Sequence, residues 1–134
     1  MSLLPFHIAL MSAAALTMFS GIVAAHYFRK KKWWLKVHKT LNIASVVLAL
    51  SGFAVAAAMV QASGGPHFRV THAIFGIAGL FLLLSTPLMG FMIFRLKGKE
   101  KIARLKTVHR WLGRLTASMI AVSAIAGLVL VGIL

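Results

Sequence analysis

A stretch without a single charged side chain decides the fold: residues 70–94 read VTHAIFGIAGLFLLLSTPLMGFMIF. A helix needs roughly 20 apolar residues to cross the hydrocarbon core of a bilayer, so this stretch predicts a transmembrane helix. Three other stretches have the same character, and the four predicted spans cover residues 3–28, 38–62, 70–94 and 111–134. Backbone polar groups cannot go unpaired in lipid, so each span is expected to be a helix. Residues 1–134 are therefore predicted to form a single all-α, integral membrane domain of four helices.

The basic residues predict how this domain is oriented. Fourteen of the fifteen Lys and Arg residues lie in or beside the connections at residues 29–39 and 95–110. By the positive-inside rule these two connections face the cytoplasm, and both termini are non-cytoplasmic. Short connections make consecutive helices antiparallel neighbours, which predicts an up-down-up-down four-helix bundle. The N-terminal apolar run lacks a preceding basic region, so we interpret it as a permanent span in a bacterial-type inner membrane or plasma membrane.

The composition excludes several functional classes. Hydrophobic residues make up 60% of the chain, and the mean hydropathy is +0.94. The net charge of +14 does not indicate a nucleic-acid partner, because the charges form two clusters separated by long apolar runs. The chain has no cysteine, which rules out disulfides, iron–sulfur clusters and covalently attached haem. Glu100 is the only acidic residue, which argues against a proton pump built on carboxylates.

The histidines are the residues most able to carry chemistry. His7, His38, His72 and His109 each lie near the start of one predicted span. Because the helices alternate in direction, His7 and His72 are expected near the outer face, and His38 and His109 near the inner face. Helices one and three are diagonal in such a bundle, as are two and four. This arrangement suits two haem groups, each with its iron between two imidazoles, paired His7 with His72 and His38 with His109.

Residues near these histidines fit a flat macrocycle. Gly76 and Gly113 lie four residues after His72 and His109, on the same helix face, and would leave space for it. Five basic residues are candidates to neutralise haem propionates, four on the cytoplasmic side and one on the outer side: Lys36, Lys39, Arg110, Arg114 and Arg69. The alternatives are ordinary ones. Small residues often mark close helix packing, and basic residues near a span set topology and bind anionic lipid.

Two histidines fall outside this pattern. His26 lies at the cytoplasmic end of the first span, and His67 lies five residues before His72, on a different helix face. We interpret both as surface or propionate-contacting groups. They leave open a rival hypothesis, in which three histidines on each side of the membrane bind zinc or copper.

These motifs resemble the four-helix core of the cytochrome b561 family. The resemblance covers nearly the whole chain and rests on His7-x-x-Leu10-Met11, on residues 33–38, on residues 67–76 (HFRVTHAIFG) and on residues 109–114 (HRWLGR). It implies two b-type haems, electron transfer across the membrane, and the same two ligand pairs. Animal and plant relatives add a helix on each side of this core, and members of that type use ascorbate. No ascorbate pocket is evident among these residues, so that substrate is not carried over.

Three functional classes remain open at this point. The first is a di-haem electron carrier, either free-standing or the membrane subunit of a larger redox complex, with a partner protein or a quinone as its redox partner. The second is a transmembrane oxidoreductase acting on a quinone, ferric iron or superoxide. The third is a haem-free structural subunit or small transporter. Of these, the sequence favours an electron-transfer protein over a stand-alone enzyme, because bis-histidine ligation leaves no open position on the iron.

Overall fold

The computed structural model describes residues 2–65 and 70–133. Within these residues four helices follow one another and no strand occurs: α1 (Leu4–Tyr27), α2 (Trp34–Ser63), α3 (Thr71–Met92) and α4 (Lys99–Leu130). Each helix is long and apolar enough to cross a membrane. This confirms the predicted all-α class and the four membrane-crossing helices.

Two helices begin well before the predicted spans. Helix α2 begins at Trp34 rather than at residue 38, and α4 begins at Lys99 rather than at residue 111. Helix α4 has 32 residues and is therefore about 48 Å long, whereas the hydrocarbon core is only about 30 Å thick. Residues 99–110 include three Lys and two Arg, which are strong helix formers. Glu100 lies in the first turn, where the helix dipole favours a negative charge. Hydropathy identifies only the part of a helix that is apolar enough to lie in lipid. It therefore did not predict the charged extension of α4.

Helix ends follow local backbone chemistry. Helix α2 is capped by Gly64 in the left-handed conformation, with φ of 66°, and Gly98 precedes α4 with φ of 100°. Glycine adopts such angles without the clash that a Cβ atom would cause. Pro87 lies inside α3, where it removes one backbone donor, yet the helix continues to Met92.

The chain divides into two compact units, residues 1–69 and 70–134. Each is a pair of packed helices, here named the first hairpin (α1 and α2) and the second hairpin (α3 and α4).

In the first hairpin, three cross-helix contacts show an antiparallel register. His7 lies against Gly52, Ala14 against Ser45, and Gly21 against His38. The contact positions advance by seven residues on α1 while they retreat by seven on α2. A seven-residue repeat keeps one helix face turned toward its partner, as in left-handed helix packing. At the centre, the fully buried Ser45 hydroxyl donates to the carbonyl of Ala14 at 2.8 Å.

The second hairpin repeats this register. His72 lies against Ser123 and His109 against Thr86, again with seven-residue multiples along each helix. The hydroxyls of Thr86 and Thr116 are 2.9 Å apart. Thr116 is buried, with 2% of its surface exposed. Each hairpin therefore has a polar contact between its two helices and a histidine near each end.

Side-chain size separates the inner from the outer faces of the hairpins. Buried positions are mostly small or polar, including Ala14, Ala24, Ala49, Ser45 and Ser123. Small residues let helix backbones approach closely. Large apolar side chains are instead widely exposed along all four helices, among them Leu16, Phe81, Leu88 and Ile125. Such an apolar surface is typical of helices that face lipid.

Candidate functional site

All four candidate ligand histidines make the same kind of hydrogen bond. The Nδ1 atom of each ring contacts a backbone carbonyl on the other helix of its own hairpin, for the pairs His7–Gly52 at 2.9 Å, His38–Gly21 at 2.9 Å, His72–Ser123 at 2.8 Å and His109–Thr86 at 3.0 Å. A carbonyl oxygen only accepts, so Nδ1 must donate and carries the ring hydrogen. In a neutral imidazole the lone pair that can ligate a metal is then on Nε2. Metal-ligating histidines commonly donate their other ring nitrogen in this way.

Each hairpin holds its two histidines far apart. His38 is level with Gly21, which is fourteen residues along α1 from His7. His109 is level with Thr86, which is fourteen residues along α3 from His72. Fourteen residues correspond to about 21 Å along a helix. Two histidines of one hairpin therefore cannot reach the same metal ion, and the spacing between the two levels is the same in both hairpins.

Glycines in the first hairpin make room for these bonds. A Cβ atom added to Gly21 would overlap the side-chain amide of Asn42, and one added to Gly52 would lie 2.7 Å from the Met11 sulfur. The Asn42 amide is itself held, because it donates to the carbonyl of His38 at 2.7 Å. A side chain at either carbonyl position would therefore displace Asn42 or Met11 from its place in this hairpin.

In the second hairpin, glycines lie against the imidazole rings. A Cβ atom on Gly90 would lie 3.1 Å from Cε1 of His109, and one on Gly127 would lie 2.9 Å from Cε1 of His72. Each of these glycines is one helical turn beyond the carbonyl that the same ring binds. The carbonyl and the glycine together form a slot that sets the ring plane.

Gly76 and Gly113 have a different environment. A Cβ atom on Gly76 would meet only the Ser123 hydroxyl at 3.5 Å, and one on Gly113 only the Thr86 methyl at 3.9 Å. Both distances are ordinary van der Waals contacts. The packing of the second hairpin therefore does not require glycine at either position, although each lies one turn after a candidate ligand.

The predicted basic residues lie at or near the surface. Lys36, Arg110 and Arg114 are exposed, and Lys39 is half-buried. The guanidinium carbon of Arg114 lies 4.7 Å from the centre of the Trp111 ring, a cation–π contact that directs it along the helix surface. Arg110 donates to the Thr107 hydroxyl at 3.2 Å. Arg69 and His67 lie outside the described residues.

His26 is exposed and packs edge-on against Tyr27, with 4.6 Å between ring centres. Within residues 2–65 and 70–133, no group of three His, Asp or Glu side chains is placed to hold a metal ion. The zinc or copper hypothesis also involves His67, which lies outside the described residues.

Sequence reasoning missed the carbonyls that hold the rings. Every residue has a backbone carbonyl, so side-chain identity cannot single out those of Gly21, Gly52, Thr86 and Ser123. The available signal was the seven-residue spacing of His7, Ala14 and Gly21 on one helix and of His38, Ser45 and Gly52 on the next.

One comparison with known proteins gives a match. The sequence model of one family, described as eukaryotic cytochrome b561, matches residues 2–128 of the 134-residue chain. Searches among curated proteins and among solved structures return no match. The family match covers α1, α2 and α3 entirely, α4 as far as residue 128, and every candidate histidine. Members of this family are membrane proteins that transfer electrons with b-type haem. The chain therefore belongs to the cytochrome b561 family.

Proposed function

We propose that this chain holds two haem b groups, one between His7 and His72 and one between His38 and His109, and carries electrons from one to the other across the bilayer. The observation that carries the proposal is the hydrogen bond shared by all four rings. Each Nδ1 donates to a carbonyl of the partner helix, which prepares each Nε2 as an iron ligand.

The distances within each hairpin support ligand pairs drawn from different hairpins. About 21 Å separates the two histidine levels of a hairpin, so no single iron can take both ligands from it. The positive-inside rule directs both basic connections to the cytoplasm, which orients the two hairpins the same way. His7 then shares a level with His72 near the non-cytoplasmic termini, and His38 shares a level with His109 near the cytoplasm. The match between the two 14-residue separations favours two sites about 21 Å apart.

The residues around the histidines fit a haem. Gly76 and Gly113 are free of packing demands within their hairpin, so the space beside them is available to the edge of a macrocycle. Lys36, Lys39, Arg110 and Arg114 would balance propionate charge on the cytoplasmic side, and Arg69 is the candidate on the outer side. Glu100 is the only acidic residue of the chain, so these cations have few carboxylates to pair with.

The protein's own contribution is orientation and exclusion of water. Bound haem iron supplies a one-electron change between its ferric and ferrous states. The hydrogen bond from Nδ1 to the carbonyl fixes each imidazole in one tautomer and one ring plane. It also increases the electron density that Nε2 offers the metal. Packed helices of apolar residues keep the site dry, which limits reorganisation of solvent when charge moves. Two imidazoles per iron leave no position for oxygen, which suits electron transfer.

A redox partner protein or a quinone would deliver and accept the electrons, with the chain acting alone or as the membrane subunit of a larger complex. A transmembrane oxidoreductase of the same build is the second candidate. Its substrates would be those the sequence left open, a quinone, ferric iron or superoxide.

Haem stoichiometry tests the proposal directly. Purified protein should show about two b-type haems per chain in a pyridine haemochrome assay, as four histidine ligands require. Its reduced-minus-oxidised spectrum should be that of low-spin, bis-histidine iron. A folded preparation with one haem per chain, or with a high-spin spectrum, would contradict two bis-histidine sites.

A further inference from the structure

An apolar groove of about 340 Å³ runs along the first hairpin, apart from the four candidate ligands. It lies between the second half of α1 and the start of α2, and the residues that define it include Leu16, Ser20, Val23, Ala24, Phe28 and Trp33. Ala24 forms a buried floor, with 5% of its surface exposed, whereas Leu16 and Val23 on the walls are 69% and 45% exposed. The groove is therefore open along its side, on an exposed apolar face of the hairpin.

The length of the groove matches one leaflet of a bilayer. From Leu16 to Phe28 along α1 is twelve residues, or about 18 Å. Half of the hydrocarbon core is about 15 Å thick. An occupant that follows the groove would thus extend from the middle of the membrane to its surface, as an acyl chain does.

Aromatic and basic residues mark the surface end of the groove. The rings of Phe28 and Trp33 are 5.3 Å apart at its mouth. Tryptophan is enriched at the level of lipid headgroups. The exposed basic run at residues 29–32 lies beside these rings, and Lys36 is exposed in the first turn of α2. The guanidinium carbon of Arg29 lies 5.7 Å from the centre of the ring of Trp34, which follows the groove residue Trp33 in the sequence.

Charge and polarity together select the occupant. The lining is apolar, whereas its surface end carries five cations, and the sequence has no acidic residue before Glu100. We propose that this groove binds one acyl chain of an anionic phospholipid, with the lipid phosphate against residues 29–32. None of the four candidate haem ligands lines the groove, so the site is independent of the haem proposal.

Native mass spectrometry of the full-length, haem-loaded protein in detergent tests this proposal. Protein titrated with phosphatidylglycerol should retain one lipid at least about fivefold more strongly than protein titrated with phosphatidylcholine, because several cations face the phosphate. Ser20→Phe should lower phosphatidylglycerol retention by about threefold or more, because the added ring fills the groove. Ser12→Phe is the matched control, since Ser12 is also an exposed serine on α1 but does not line the groove. It should bind lipid like the unchanged protein.

A second pair of variants leaves the apolar packing intact. Replacing Lys30, Lys31 and Lys32 with Gln should remove the preference for phosphatidylglycerol while weak binding of both lipids remains. Replacing Lys97, Lys99 and Lys101 with Gln removes the same charge from the other basic connection and should leave the preference unchanged. Equal retention of the two lipids by the unchanged protein, or equal losses in both triple variants, would overturn the site. Displacement of the lipid by a short-chain quinone at equimolar concentration would overturn it in favour of a quinone site.

Discussion

The two hairpins hold their histidines with the same hydrogen bond but differ in which helix carries the larger side chain beside it. In the first hairpin that side chain is on the helix of the histidine, and in the second it is on the helix of the carbonyl. In the first hairpin, the residues that offer the carbonyl are glycines, and the residues one turn after the histidines are large, Met11 and Asn42. In the second hairpin, the carbonyl residues are Ser123 and Thr86, and the residues one turn after the histidines are glycines. What the hairpins share is the register and the ring-to-carbonyl bond. Either helix can supply the side chain that fills the space between them. The common feature is therefore the hydrogen bond and not any particular side chain.

The two hairpins also differ in the structural role of their glycines. Gly21 and Gly52 leave space for the Asn42 and Met11 side chains in the first hairpin, as small residues in membrane helices commonly do for their neighbours. Gly76 and Gly113 face a wider space in the second hairpin, where helix packing alone does not account for them. Only the second pair therefore bears on the cofactor.

The largest effect is expected from removing a ligand, which tests whether the two hairpins share each haem. His7→Ala and His72→Ala should each lower the haem content from two to one per chain and leave the same residual spectrum, because both remove a ligand of one iron. His38→Ala and His109→Ala should leave the other haem. Pyridine haemochrome assays and redox titration of the four variants provide the measurement.

His26→Ala is the control for this series and should keep both haems, because His26 is exposed and packs on Tyr27. If His7→Ala and His38→Ala left the same spectrum, the pairing across hairpins would be wrong.

A smaller effect is expected from adding a methyl group to the first hairpin. Gly21→Ala should lower stability by about 1–3 kcal/mol, because the new Cβ overlaps the Asn42 amide and the overlap exceeds the gain in helix propensity. Thermal unfolding in detergent, followed by far-UV circular dichroism, gives the change.

Removing the Asn42 side chain from α2 should restore stability to this variant, because it makes space for the methyl group added on α1. The double variant Gly21→Ala with Asn42→Gly copies the order found at Thr86 and Gly113, so it should recover much of the lost stability. If the double variant is less stable than Gly21→Ala alone, the exchange of volume between helices does not explain the difference between the hairpins.

The smallest effect on stability is expected at the second pair of glycines. Gly76→Ala and Gly113→Ala should leave the unfolding temperature equal or slightly higher, because each new methyl meets only ordinary contacts and alanine favours helix by about 1 kcal/mol. If the macrocycle occupies the adjacent space, each substitution should nevertheless lower the occupancy of the neighbouring haem site by about half. Haem per chain and unfolding temperature are measured on the same samples.

Gly65→Ala, in the connection after α2, provides a control that should change neither quantity. Full haem content in both Gly76→Ala and Gly113→Ala would remove these two glycines from the proposed sites.

Much of this fold follows from hydropathy, because lipid allows few alternatives. A charge-free stretch such as residues 70–94 must pair its backbone groups internally, and a helix does so without help from other segments. Helix beginnings in water are less constrained. The early start of α4 at Lys99 depends on helix propensity in a charged segment, which hydropathy does not measure.

The sequence by itself determined the four apolar helices, the family and the four histidines as candidate ligands, since each depends on residue type and spacing along the chain. Only the tertiary structure decided which backbone carbonyl each ring binds, which glycines are needed for helix packing, and that each hairpin separates its histidines by the same 14 residues. The physical reason is that a carbonyl is common to all residues. Which carbonyl accepts the hydrogen bond of a given imidazole depends on the register of two packed helices, and residue type alone does not predict that register.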